Sequence, residues 1–113
     1  MTIVDTNILS ELMRPNPNTR VIEWMDSVEP LNIGITSVTV AEILYGIAAL
    51  SGGSRKQLLL KAARAMFEED LNGRIFAFGE QAAVEYADIV LRREKSGRPI
   101  SVSDAQIAAI CRA

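Results

Sequence analysis

Thr2-Ile3-Val4-Asp5-Thr6-Asn7-Ile8-Leu9-Ser10-Glu11 opens the chain. Its first three residues are β-branched and read as a short buried strand. From Thr6 to Met13 the pattern turns helical, and Pro15 and Pro17 stop it. A strand that ends on an acid and feeds a helix is the start of an α/β unit, and the rest of the chain repeats that alternation.

Asn18 is placed to cap a second helix with Val21, Trp24, Met25 and Val28 on one face, and Pro30 ends it. Leu31 to Thr36 reads as a second strand. Ser37 is placed to cap a third helix from Val38 to about Leu50, apolar nearly all round and so expected to be buried. Ser51-Gly52-Gly53-Ser54 breaks the chain as a loop. It lacks the Lys-Ser/Thr ending of a phosphate-binding loop and follows no strand. Arg55 to Asp70 reads as an amphipathic helix, and Arg74 to Phe78 as a third strand. Glu80 to Ser96 forms a long helix with Ala83, Tyr86, Ala87 and Val90 on one face, closed by Gly97 and Pro99. Ser103 is placed to cap a last helix starting at Asp104. Helices between strands predict an α/β fold with a largely parallel sheet. Sites in such sheets gather beyond the carboxyl ends of the strands.

Three acids stand in apolar surroundings. Asp5 ends the first strand. Glu42 is the only charge between Val38 and Leu50, and Asp104 the only one between Pro99 and Cys111. An ionised acid is costly to bury without a partner. Three of them without a nearby cation in sequence suggest a shared cation in space, and a hard divalent metal such as Mg²⁺ suits oxygen donors. Each acid also has a plainer reading. Asp5 serves as a helix cap, and Asp104 as a first-turn acid favoured by the helix dipole. Glu42 would be a lone solvent-facing residue or the partner of Arg14 or Arg20. Thr6 and Ser103 are hydroxyls able to cap a helix or orient a carboxylate, and Asn7 adds a polar group beside Asp5. Glu11 is expected in a salt bridge, Glu68, Glu69 and Asp70 at a solvated helix end, and Asp88 near the wetter face of the long helix. Trp24 and Tyr45 are expected in the core.

The composition excludes several chemistries. With 113 residues, the chain is long enough for one compact domain but not two. There is no histidine, which removes Ser-His-Asp triads, Cys-His pairs and His-bound zinc. Cys111 is the single cysteine, so no internal disulfide forms, and it reads as a small buried hydrophobe. Charges or Gly/Pro interrupt every apolar run, so no transmembrane helix or secretory leader is expected, and the product is expected in the cytoplasm. The net charge of −2 offers no bulk attraction to nucleic acid. A phosphate-binding edge would have to be local, built from Arg92, Arg93, Lys95 and Arg98 or from Arg55, Lys56, Lys61 and Arg64. Either group also reads as a solubilising helix face.

With Asp5-Thr6-Asn7, Thr39-Val40-Ala41-Glu42-Ile43-x-x-Gly46 and Ser103-Asp104-Ala105-x-Ile107-Ala108-Ala109, the chain resembles the PIN-domain family. More narrowly it is similar to bacterial toxins of the VapC and FitB type, as Arg14-Pro15 and Trp24 underline. The motifs run the length of the chain in the family's order. The resemblance implies a three-layer α/β/α fold around a mostly parallel sheet, over a single domain 1–113. It implies a ribonuclease that cleaves RNA phosphodiesters with Mg²⁺ or Mn²⁺, the toxin of a type II toxin–antitoxin pair. Asp5, Glu42 and Asp104 would be catalytic metal ligands, with Thr6, Asn7 and Ser103 supporting them. A homodimer is implied, held by a cognate antitoxin, with DNA reached only through that antitoxin. The family continues past the last helix into a further strand and a fourth acid. Neither follows Asp104 here, so a domain shortened at its C-terminus is expected.

Two other functions compete. A shortened, inactive toxin would bind antitoxin without cleaving RNA. A phosphohydrolase with Asp5 as nucleophile would want a second nearby Asp and a Lys, but Asn7 stands there and no lysine precedes Lys56.

Overall fold

A computed structural model describes residues 1–113. Strand β1 (Thr2–Ile3) leads into helix α1 (Thr6–Leu12), and helix α2 (Thr19–Ser27) follows. A 3₁₀ turn at Pro30–Asn32 feeds β2 (Ile33–Thr36), which runs directly into α3 (Ser37–Ala48). Helix α4 (Ser54–Ala65) ends in a π-turn at Met66–Asp70, followed by β3 (Ile75–Phe76), α5 (Glu80–Lys95) and α6 (Val102–Arg112). The α/β class with a parallel sheet is as expected. The three strands lie in the order β1-β2-β3, with Thr2 paired to Ile33 and Ile3 to Gly34 in parallel register. The Val4 amide donates to Gly34 O at 2.9 Å and carries the ladder one residue past β1.

Contacts divide the chain into two units. The first comprises Met1–Ile35 and Thr39–Ile75. Its core is built on Val4, Leu9, Ile35, Ile43, Ile47, Ala63 and Phe67, with Val4 and Ile35 almost wholly enclosed. β-branched residues dominate the strands here because both sheet faces are covered, and all four residues of β2 are buried. Arg74 ties the strand ends. Its Nε donates to Ile33 O at 2.8 Å and its terminal nitrogen to Asp70 O, while its carbonyl accepts from the Ile35 amide at 3.0 Å.

The second unit, Thr36–Val38 with Phe76–Ala113, is built on α5 and α6. Ala82, Ile89, Ala109 and Ile110 form its core, and Phe78 and Tyr86 meet edge to face at 5.8 Å. Arg112 on α6 reaches Glu85 at 2.7 Å and Asp88 at 3.1 Å on α5. The Arg112 guanidinium, and then that of Arg92, holds the Asp88 carboxyl below the usual carboxylate range. Gly97, at φ 72°, ends α5. The Arg98 amide returns to Arg93 O at 2.9 Å, so glycine takes a left-handed position that a side chain would strain.

Several expectations are corrected. The second strand begins at Ile33, because Pro30 starts a 3₁₀ turn that leaves Leu31 exposed. The third strand is only Ile75–Phe76, since Gly73 at φ 78° and Arg74 belong to the turn before it. The helix from Arg55 is α-helical only to Ala65. Helix α3 is not buried all round. Thr39, Ile43 and Ile47 point inward, while Tyr45 is 76% exposed. Trp24 is also exposed. On α5 the buried stripe is Ala82 and Ile89 with Tyr86, while Ala83 and Ala87 face solvent. Cys111 is exposed rather than buried, although partial desolvation still pushes its thiol pKa up. A side chain one helical step from the core stripe faces outward whatever its polarity.

Candidate active site

Asp5 stands where β1 gives way to α1. Its side chain caps that helix, accepting from the Asn7 amide at 3.4 Å. The cap holds the carboxylate at the strand's carboxyl end, exposed to solvent. Asn7 lies in the first turn with an exposed side chain. Helix α3 follows β2 without a loop, so Thr39 and Glu42 lie one turn apart on one side of it. Thr6 Oγ1 lies 2.9 Å from Glu42 Oε1 and 2.9 Å from Thr39 Oγ1.

A hydroxyl has one proton, and an ionised carboxylate can only accept. The Thr6 proton therefore goes to Glu42, and the fully buried Thr39 hydroxyl lies at hydrogen-bond distance from the Thr6 oxygen. This chain ties the start of α1 to the first turns of α3 and brings Glu42 to the strand end that carries Asp5. Thr39 is a member of the group that the pattern of lone acids does not single out. Its signal was the spacing Thr39-x-x-Glu42, which puts both on one helical side.

Glu42 is exposed and pairs with neither Arg14 nor Arg20. Arg14 instead meets Glu11 at 3.3 Å, as expected for that acid. The chain's ion pairs engage Glu11, Glu85 and Asp88, and none engages Asp5, Glu42 or Asp104.

In the second unit, Asp104 lies in the first turn of α6 and is exposed. The cap of that helix is Ser101, not Ser103. Ser101 Oγ accepts from the Asp104 amide at 3.2 Å, and the helix begins at Val102. Ser103 is half-buried inside the first turn. The two serines are two residues apart, and the extended backbone of Ser101 selects it as cap.

Neither unit by itself gathers three acidic or thiol side chains around one point. The donors nonetheless suit a hard divalent ion. They are carboxylate oxygens, accessible and not neutralised by a protein cation. Mg²⁺ commonly takes only one or two carboxylates and completes its shell with water and phosphate.

The PIN domain model matches residues 2–113. This chain belongs to the PIN-domain family. It is 37% identical to the toxin FitB of Neisseria gonorrhoeae over 96% of its own length and 78% of that protein. It is 32% identical to the VapC ribonuclease Y4jK of Sinorhizobium fredii, again over 96% of this chain and 78% of the relative. Among solved structures, FitAB bound to a DNA fragment contains a chain that superposes with a TM-score of 0.93 at 36% identity, covering 99% of this chain and 78% of that one.

Proposed function

We propose that this PIN-domain chain is the toxin of a type II toxin–antitoxin pair, a Mg²⁺- or Mn²⁺-dependent endoribonuclease. The observation that carries the reading is the link from the strand end at Asp5, through Thr6, to Glu42. It gives two unneutralised carboxylates a common support in a chain similar to named VapC and FitB toxins.

Asp5, Glu42 and Asp104 would hold the ion, with Thr6, Asn7 and Ser103 supporting them. Once bound, the ion would supply Lewis acidity at a scissile RNA phosphate. The chain's own part is positional. The α1 cap fixes Asp5. The Thr39–Thr6 pair aims one Glu42 oxygen and leaves the other lone pairs free. Asp104 contributes charge from the first turn of α6. No histidine is present, so a proton taken from water in the site would pass to Asp5, Glu42 or Asp104.

The same reading takes residues 1–113 as one domain working in the cytoplasm. No helix is long and apolar enough to cross a membrane. The partners are RNA as substrate, a cognate antitoxin, and a second copy of the chain, with DNA reached only through the antitoxin. The FitAB structure bound to a DNA fragment supports the antitoxin and DNA parts of that reading by similarity.

Replacing Asp5→Asn keeps the cap, since Asn caps as well as Asp, but removes the charge. RNA cleavage in Mn²⁺ should fall at least about a hundredfold with an unchanged circular dichroism spectrum. Cleavage retained by the variant would reject the role of Asp5. Absence of cleavage by the unaltered chain, with antitoxin still bound, would establish the inactive binding module instead.

A further inference from the structure

Beside Glu42, the first unit contains a cavity of about 340 Å³. Glu42 lines one side, together with Arg14, just past α1, and Arg55, in the first turn of α4. The floor is apolar and includes Ile43 and Ile47. Arg14 is paired with Glu11, whose Oε1 lies 3.3 Å from the guanidinium and whose Oε2 accepts from the Asn18 amide at 3.0 Å. Gly46, one turn beyond Glu42 on α3, also lines the space.

That glycine is otherwise unexplained. Glycine inside a helix is unfavourable compared with almost any other residue. Its φ is not positive, and a Cβ built on it meets nothing within 4 Å. Neither the backbone nor packing asks for glycine there. What its missing side chain leaves is an open approach to the cavity over the exposed side of α3.

A carboxylate, two cations and an apolar floor sharing one space suit a ligand with an anionic group and a flat, weakly polar body. Guanidinium groups match phosphate oxygens in geometry as well as charge. Proteins that recognise single-stranded RNA take unstacked bases into side-chain pockets, and a few hundred cubic ångströms is the usual scale of small-ligand sites.

We propose that this cavity is a nucleotide subsite for single-stranded RNA adjoining Glu42. The base enters over Gly46 and rests on Ile43 and Ile47, and its phosphate is held by Arg14 and Arg55. The inference rests on the ribonuclease reading and deepens it by naming where a neighbouring nucleotide of the substrate sits. An acidic peptide shares part of the chemistry, but the cavity's continuity with Glu42 favours the strand being cut.

The test is fluorescence anisotropy of an end-labelled single-stranded oligoribonucleotide with the full chain in EDTA, so that nothing is cleaved. Gly46→Leu fills the cavity without changing charge or helical backbone. It should weaken binding roughly tenfold by shutting one base out of an apolar pocket, with unchanged circular dichroism. Arg55→Gln, at an exposed position, should weaken binding and reduce the slope of log affinity against log salt by about 0.7. Gly46→Leu binding equal to that of the unaltered chain overturns the proposal, as does no binding by the unaltered chain at low salt. Mn²⁺-dependent cleavage alongside separates the two readings. Cleavage with Gly46-insensitive binding keeps the nuclease and rejects the subsite. Gly46-sensitive binding without cleavage rejects the nuclease and keeps the subsite.

Discussion

At the scale of the residue, Thr6 is the joint of the candidate site. Its one proton serves Glu42, and its oxygen lies 2.9 Å from the buried Thr39 hydroxyl. Thr6→Val keeps the shape and removes both bonds. Losing a group that orients a metal ligand typically weakens binding about 10- to 100-fold. We expect that drop in Mn²⁺ affinity by calorimetry, together with roughly 1 kcal/mol of lost stability from the broken, partly buried hydrogen bond to Thr39. Thr6→Ser should restore the affinity. A Val variant that binds Mn²⁺ as tightly as the unaltered chain would show that Glu42 needs no such support. Asp5 and Glu42 are legible as candidate site residues because each acid interrupts an apolar run. Their hydrogen bonds are not, since Thr6 and Glu42 are 36 residues apart and only folding brings them together.

At the scale of the element, α6 offers a direct comparison of two serines. Ser101 is the cap, and Ser103 sits inside the first turn. Ser101→Ala should cost about 1 kcal/mol, as loss of a helix cap does, and Ser103→Ala within about 0.5 kcal/mol of nothing. Urea denaturation of the two variants measures the difference, and equal midpoints would contradict the cap assignment. The expected start at Asp104 was two residues late. Both serines are good caps by type, and the choice between them depends on which has extended backbone. The shortened strands have a similar cause. Pro30 and Gly73 bend the chain just before β2 and β3, and the 3₁₀ turn after Pro30 keeps Leu31 out of the ladder.

At the scale of the whole molecule, apolar side chains remain in solvent on two helices. On α3 Tyr45 is 76% exposed, and on α5 Val84 and Leu91 are 69% and 51% exposed. Such helical stripes support the proposed second copy of the chain as partner. Sedimentation equilibrium should give a dimer at micromolar concentration, and Tyr45→Lys should shift it at least tenfold toward monomer by placing a charge in a desolvated interface. A monomer for the unaltered chain would withdraw the dimer.

The sequence by itself determined the α/β alternation, the positions of the helices and the acids worth watching. These depend on residue type and on spacing within a single element, where β-branched runs, caps, prolines and lone charges act locally. It also carried the family, through motifs spread from Asp5 to Asp104. Only the tertiary structure decided which side of α3 faces the core, and so exposed Tyr45 and Glu42. It alone set Thr39 behind Thr6, turned Arg14 toward Glu11, and opened the cavity beneath Gly46. These outcomes depend on contacts between residues far apart in the chain. Local pattern leaves such contacts open, because helical spacing names a stripe without saying which neighbour will cover it.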